Sequence, residues 1–268
     1  MQRVSSLELL VERRTLALTK RIQELEQKAI ESDLLLIRQA EINEAKTRFV
    51  SIASHEFRTP LTSIQLSASL IEHYYDRLDK QKILTHLQKI KIAVSDLTAV
   101  LNDFLSVEKI ESGNVDPVWK EFDLQALAEE LVVEMSILAK PGQVIWYTHS
   151  GDHARLNSDK TLLRRCLVNL LSNAIKYSGE DEVILLHTEI KNDGCAIRVV
   201  DNGIGIPDDD QQSLFKPFFR AKNAYDIQGT GLGLNIVKRY AGLLKGEITF
   251  ESALASGTTF NMFFPITT

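Results

Sequence analysis

The first 112 residues contain no glycine and a single proline, Pro60, whereas all 13 glycines of the 268-residue chain lie at Gly113 or later. Glycine and proline punctuate folds rich in turns, so their near absence argues against a compact mixed domain at the start and predicts long uninterrupted helices there. Cysteine is scarce too. Cys166 sits in a helical pattern and Cys195 in a strand pattern, with no Cys-x-x-Cys spacing and no histidine cluster near either. Both are expected to be small buried apolar residues, with neither a disulfide nor a metal role. Formal net charge is −5, from 31 basic and 36 acidic residues with no basic block, which leaves no electrostatic footprint for nucleic acid. No apolar run approaches the roughly 20 residues a membrane helix needs. The N-terminus is polar and charged rather than signal-like, so the expectation is a soluble, cytosolic polypeptide.

What fills the first part is heptad pattern. Val4, Val11, Leu18 and Leu25 form one seven-residue series, with Ile22, Ala29 and Leu36 in a second series four places on, and together they make a coiled-coil seam. Ser32 and Asn43 interrupt it, and Leu35, Ile42 and Phe49 continue in a shifted phase, which predicts a stutter. Two more series follow, Leu61 to Tyr75 and Ile83 to Phe104, separated by about eight polar residues around Asp76 to Gln81. They predict an antiparallel helical hairpin. A hairpin with a narrow apolar stripe cannot close a core alone, and dimerising into a four-helix bundle buries both stripes.

Just before the hairpin's best periodic run stands Ser54-His55-Glu56-Phe57-Arg58-Thr59-Pro60. Neutral imidazole is a nucleophile at physiological pH, and a neighbouring carboxylate can hold its other ring nitrogen. Thr59 lies one helical turn on, within reach of whatever His55 carries. Pro60 removes the hydrogen bond back to the carbonyl of Glu56, which predicts a bend or a soft spot.

From Ser112 to Pro117 turn residues gather and the pattern changes to strands alternating with helices. Strands are expected at 118–122, 144–148, 182–190, 195–201, 246–252 and 258–265, and helices at 124–139, 158–177 and 232–244. Antiparallel strands interleaved with helices predict a two-layer α/β sandwich. Three clusters in it carry chemistry. Asn169, Asn173 and Lys176 share a helix face, bringing two amide oxygens suited to magnesium and an ammonium suited to phosphate together. Asp201-Asn202-Gly203-Ile204-Gly205 ends an apolar strand, and Asp201 can accept the amino group of a purine. Gly229, Gly231 and Gly233 open a helix and bare its N–H groups as a phosphate cradle. Neither the dinucleotide fingerprint nor the phosphate-binding loop with Gly-Lys-Ser/Thr occurs.

Over roughly residues 45 to 266 the chain closely resembles the two-component sensor histidine kinases. Five motifs appear in that family's order: Ser54 to Leu61 is similar to the phosphoacceptor motif, Asn169 to Ser178 to the asparagine motif, and Asp201 to Pro207 to the first glycine motif. Leu214 to Arg220 resembles the phenylalanine motif, and Gly229 to Leu234 the second glycine motif. Phe57 stands where many relatives have leucine. The resemblance implies three segments: a coiled-coil signalling helix over 1–45, a dimerisation and phosphotransfer hairpin over 46–112, and an ATP-binding domain of Bergerat type over 113–268. It implies ATP and Mg2+ as cofactors, a homodimer, a response regulator receiver domain as partner, and an upstream sensor outside this chain, of which the chain is then the cytosolic portion. Carried over residue by residue, His55 is the phosphorylated nucleophile, Glu56 its general base, and Thr59 the residue that positions water for dephosphorylating the partner. Asn173, helped by Asn169, binds magnesium, Lys176 a phosphate and Asp201 adenine. Tyr177, Gly203, Gly205 and Arg220 line the nucleotide pocket, Gly229, Gly231 and Gly233 hold phosphates, and residues 221–228 form a mobile lid. Two competing readings share the sandwich: a chaperone-like or mismatch-repair-like ATPase, and a dimeric scaffold that binds nucleotide only for structure. His55 in a dimerising hairpin is the feature those ATPases would not need, and the complete set of His55, Glu56 and Asn173 argues against the scaffold.

Overall fold

The computed structural model describes residues 2–74, 79–151, 153–191, 193–225, 227 and 229–265, without the side chains of His55 and of many residues before Ser54. The chain divides into two compact units, Met1–Ser51 and Ile52–Thr268. Helix α1, Gln2–Tyr74, supplies the whole of the first. The expected seam is helical throughout, and Leu18, Leu25, Leu35 and Leu36 are all more than half exposed, as a lone strand of a coiled coil must be. The side chains of Val4, Val11, Ile22, Ile42, Asn43 and Phe49, on which the rest of the seam and its stutter turn, lie outside the described residues.

In the second unit α1 continues through Pro60 and is followed by α2, Lys80–Glu111. Asp79 caps α2 by accepting the Lys82 N–H at 2.8 Å, satisfying one of the donors a helix start leaves open. Residues 75–78, which hold the last position of the expected series, Tyr75, and the start of the expected connection, lie outside the described residues. Phe57 of α1 meets Phe104 of α2 edge to face, ring centroids 5.7 Å apart.

The sandwich begins at β1, Lys120–Asp123, and runs α3 (Leu124–Ser136), β2 (Val144–Ser150), β3 (Arg155–Ser158), α4 (Lys160–Tyr177), β4 (Val183–Lys191) and β5 (Gly194–Asp201). The short α5 (Asp208–Gln211), α6 (Gly233–Leu243), β6 (Glu247–Ser252) and β7 (Thr258–Pro265) follow. The main sheet has the order β2-β4-β5-β7-β6, and β1 pairs with β3 apart from it. Sequence pattern places these elements, β3 and α5 excepted, within a few residues but misjudges one pairing. β2 and β4 run parallel, Val144 opposite Val183 through Ser150 opposite Glu189. Parallel neighbours need a crossover, and α4 supplies it between them. β3 escapes the pattern because Arg-Leu-Asn-Ser has no alternation to read beyond the burial of Leu156 and Ser158.

Helices α3, α4 and α6 bury their apolar faces against one side of the sheet. Leu127, Leu131, Leu163, Leu167, Leu171 and Val237 are fully buried, as are Ile184 and Leu186 in β4. Each such side chain contributes about 1.5–3 kcal/mol relative to exposure. Cys166 and Cys195 belong to this core as expected, and burial pushes both thiols up to about 12. Both ends of α4 are fixed. At its start the Asp159 carboxylate accepts the N–H groups of Thr161 and Leu162 at 2.8 and 3.0 Å. At its end the Gln143 amide donates to the carbonyls of Ile175 and Gly179 at 3.1 and 2.7 Å, while the Lys140 ammonium donates to those of Lys176 and Ser178. That helix carries the polar face described next. Among the described residues no helix is long and apolar enough to cross a membrane.

Candidate functional site

A cleft of about 440 Å³ opens between α4, the ends of β5 and β7, the loop before α6 and the hairpin. Asn169, Asn173, Lys176 and Tyr177 line it from α4, at the one-turn steps the sequence predicts. Asn169 donates its amide to the Arg165 carbonyl at 3.1 Å, which settles that side chain's donor and leaves its oxygen as the acceptor turned toward Gly233. Lys176 is driven down to about 8, first by burial, then by the Arg220 charge, against an opposing pull from Glu56. A cation buried beside another cation gains most from an anionic ligand.

Asp201 lies in the floor, 6% exposed. Its carboxylate accepts the Gly203 N–H at 2.9 Å. Burial raises it to about 6, while hydrogen bonds from the Gly203 and Thr258 backbones pull the other way. Only glycine fits beside it: a Cβ on Gly203 would meet the Tyr177 carbonyl oxygen at 2.6 Å and the Asp201 carboxylate at 2.8 Å. Gly205 lines the same wall. At the opposite end Gly229, Gly231 and Gly233 all line the cleft, and a Cβ on Gly229 would lie 2.5 Å from the Lys176 ammonium. This is a cradle a side chain would fill, with an ammonium aimed into it.

Arg220 also lines the cleft, yet its guanidinium is turned toward the segment after it, donating to the carbonyls of Ala224, Tyr225 and Ile227. The expected lid therefore holds a defined form over its described residues. Lys222–Ala224 is a single helical turn, tied by the Lys222 N–H to Asp210 at 2.8 Å and by the Asn223 amide to the Gly205 carbonyl at 2.9 Å. Asp226 and Gln228 lie outside the described residues.

The hairpin contributes a wall that sequence pattern did not foretell: Asp96, Ala99, Val100 and Asp103 of α2, with Glu56 of α1. Burial raises the carboxyl of Asp103 to about 6. Two aspartates one heptad apart on an otherwise apolar helix face were the available signal. Glu56 is buried and Thr59 exposed, while for His55 only the helical backbone is described.

An acceptor in the floor, an amide pair with an ammonium in the wall and a glycine cradle share one cleft joined to a helical hairpin, an arrangement suited to an anionic ligand such as a nucleotide. Comparison with known proteins agrees. Residues 158–268 match the family described as "Histidine kinase-, DNA gyrase B-, and HSP90-like ATPase", and residues 45–113 match the "His Kinase A (phospho-acceptor) domain". The circadian input-output histidine kinase CikA of Synechococcus elongatus is 32% identical over 94% of this chain and 34% of its own length. The hybrid signal transduction histidine kinase B of Dictyostelium discoideum is 30% identical over 88% and 12%. Full-length ShkA, solved in complex with AMPPNP, superposes with a TM-score of 0.60 at 25% identity over 82% of this chain and 46% of that one. Histidine kinase ThkA, solved with response regulator protein TrrA, gives 0.58 at 24% identity over 81% and 61%. The chain spans about a third of the length of the CikA relative, and less of the Dictyostelium one. The chain belongs to the sensor histidine kinases. The phospho-acceptor match separates it from the gyrase-like and chaperone-like ATPases that share the sandwich.

Proposed function

We propose that this chain is an ATP-dependent histidine autokinase that phosphorylates His55 and passes the phosphoryl group to an aspartate of a response regulator. The observation that carries the reading is the convergence on one cleft of the α4 polar face, Asp201, the glycine cradle and Glu56, the residue next to His55. In this reading Asp201 accepts the exocyclic amino group of adenine, and Tyr177, Gly203 and Gly205 line the base end. Lys176 and the N–H groups at Gly229, Gly231 and Gly233 take the phosphates. Arg220 shapes the pocket from the lid side. Asn173 and Asn169 fit Mg2+, since amide oxygens suit a hard ion shared with phosphates; bound there, the ion neutralises charge on the phosphate oxygens.

A ring nitrogen of His55 forms a bond to the γ-phosphorus as the bond to the β,γ-bridging oxygen breaks and ADP leaves. Glu56 takes the proton that the imidazole gives up. Positioning and charge neutralisation carry the rate, because the phosphoryl group itself undergoes little covalent chemistry with other residues. The phosphohistidine then yields the group to the receiver carboxylate. Thr59, one turn away and exposed, orients water for the reverse duty, dephosphorylating the partner. The segments are 1–45 for the signalling coiled coil, 46–112 for the dimerising hairpin and 113–268 for the ATP-binding domain, with an upstream sensor beyond this chain. Labelled ATP tests the core of this. Wild type should take up an alkali-stable, acid-labile label and His55→Gln none; equal labelling of the two would refute the assignment.

A further inference from the structure

Three carboxylates in the wall of the cleft, Glu56, Asp96 and Asp103, belong to the hairpin rather than to the sandwich. The sandwich side presents cations and donors: Lys176, Arg220 and the glycine loop. Glu56 is close enough to Lys176 to oppose the loss of that ammonium's proton. Asp103 goes further, accepting the hydroxyl hydrogen of Thr230 at 3.1 Å from within the glycine loop itself. The junction then runs along α2, away from the cleft. The Phe104 ring lies 6.3 Å from that of Phe218, Ser106 accepts from the Arg165 guanidinium at 3.3 Å, and Glu111 pairs with Arg239 at 3.0 Å. Phe104 and Val107 are buried. At both ends of the junction acid stands on the hairpin side, Asp103 facing the Thr230 hydroxyl and Glu111 facing Arg239, with the Phe104–Phe218 contact and the Ser106 hydroxyl between them.

We propose that the hairpin gates the nucleotide cleft by standing in for the anion. Docked through Asp103, α2 puts a carboxylate against the loop that would cradle the phosphates, so a nucleoside triphosphate seats only as α2 releases Thr230. The gate rests on the nucleotide reading of the cleft and adds to it a regulation that the reading does not require. The contact of Asp103 with Thr230 and nucleotide binding are then alternatives within one chain, linked by mass action, while Glu56 on α1 keeps its place in the wall. Any change that weakens the junction raises the fraction of open clefts, and apparent affinity rises in proportion. That holds even for a change far from the nucleotide, which is what separates a gate from a local effect of charge.

Calorimetry of the full chain with AMPPNP and magnesium tests it. Asp103→Asn keeps the shape and an acceptor for Thr230 but removes the charge, and should bind roughly tenfold tighter, the scale by which a hydrogen bond to a charged acceptor exceeds one to a neutral acceptor. Glu111→Lys breaks only the outlying pair with Arg239, in which Glu111 is well exposed, and should tighten binding about two- to threefold, as exposed ion pairs allow. Glu108→Lys makes the same charge change at an exposed site of α2 and should bind like wild type. Asp201→Asn should bind about a hundredfold more weakly, the loss expected of a hydrogen bond to a charged group. A gain in only one of Asp103→Asn and Glu111→Lys, or in neither, overturns the gate while the loss in Asp201→Asn upholds the nucleotide reading. No binding by wild type overturns both. A gain in Glu108→Lys as large as that in Glu111→Lys also overturns the gate, because net charge would then explain it.

Discussion

Leucine meets opposite fates in two regions of this molecule. In the sandwich, Leu163, Leu167, Leu171 and Leu186 are fully buried by their own chain. In the helix of the first unit, Leu18, Leu25, Leu34, Leu35 and Leu36 are 53 to 66% exposed. The residue type is the same; the difference lies in whether one chain can supply the opposing surface. A sheet with three helices on one face closes on itself, whereas a lone helix has no second layer to close against. The first region therefore reads as half of an interface, and the second as a finished machine whose spare polarity is gathered in its cleft. The hairpin lies between these cases: Ala93, Val100, Phe104 and Val107 are buried, while Leu61, Leu87 and Leu101 stay about half exposed, a stripe that fits the proposed homodimer.

The largest effect should come from the finished region. Asp201→Asn removes the charged acceptor at the base end, and adenine nucleotide affinity should fall about a hundredfold, the range of a hydrogen bond to a charged group. Its effect on stability should have the opposite sign. The folded carboxyl sits at about 6, above the roughly 3.9 of an unfolded aspartate, so the folded state holds the proton more tightly. Burial of the charge therefore costs stability above pH 6, and that cost fades as pH falls toward 4. The variant should melt above wild type at pH 8 and together with it near pH 4, with nucleotide absent from both. A variant less stable than wild type at pH 8 would show that the hydrogen bonds from the Gly203 and Thr258 backbones outweigh the burial.

A pair of truncations sharpens the comparison directly. Leu171→Ala opens a cavity in a closed core and should cost about 2–5 kcal/mol in denaturant unfolding. Leu35→Ala, in a single helix, should stay within about 0.5 kcal/mol. If Leu35→Ala costs more, and the cost grows with protein concentration, a second copy covers that face. A concentration-independent cost would remove the contrast between the two regions.

Most of the sandwich was legible because its signals are local. Alternation marked β4, β5 and β7, the one-turn steps marked the α4 face, and the glycines marked both ends of the cleft. Asn169, Asn173, Lys176, Tyr177, Asp201, Gly205, Gly229, Gly231 and Gly233 line it, whereas Gly203 stands behind Asp201, giving its N–H to that carboxylate. What stayed hidden depends on contacts between segments far apart in sequence. The parallel pairing of β2 with β4 is one case. The bond between Asp103 and Thr230, 127 residues apart, is another. Asp103 reads as one more polar position on a heptad helix until the fold places a glycine loop against it. Arg220 shows the same limit, since its motif foretold a pocket residue but not the three lid carbonyls that hold its guanidinium.

The smallest expected effect concerns the unfinished region. If the first helix only holds two copies together, its length and phase should matter little beyond dimerisation. If it transmits, phase should govern, because a heptad seam keeps its facing only when residues are added in sevens. Inserting seven residues after Leu25 restores the seam's orientation and should leave receiver phosphorylation within about twofold of wild type, whereas three or four rotate the stripe by roughly 50°, in opposite senses. Those inserts should shift the balance between phosphorylation and dephosphorylation of the receiver several-fold, with dimerisation unchanged by light scattering. The physical link is the bistable response of packed helices to rotation, which turns a small change of angle into a choice between two arrangements. Pro60, buried and without an N–H to give, is the place in α1 where such a rotation costs least, and a Pro60→Ala change should flatten the response to phase. A balance that declines steadily with insert length, whatever its phase, would make the helix a tether and leave the contrast between the regions one of packing alone.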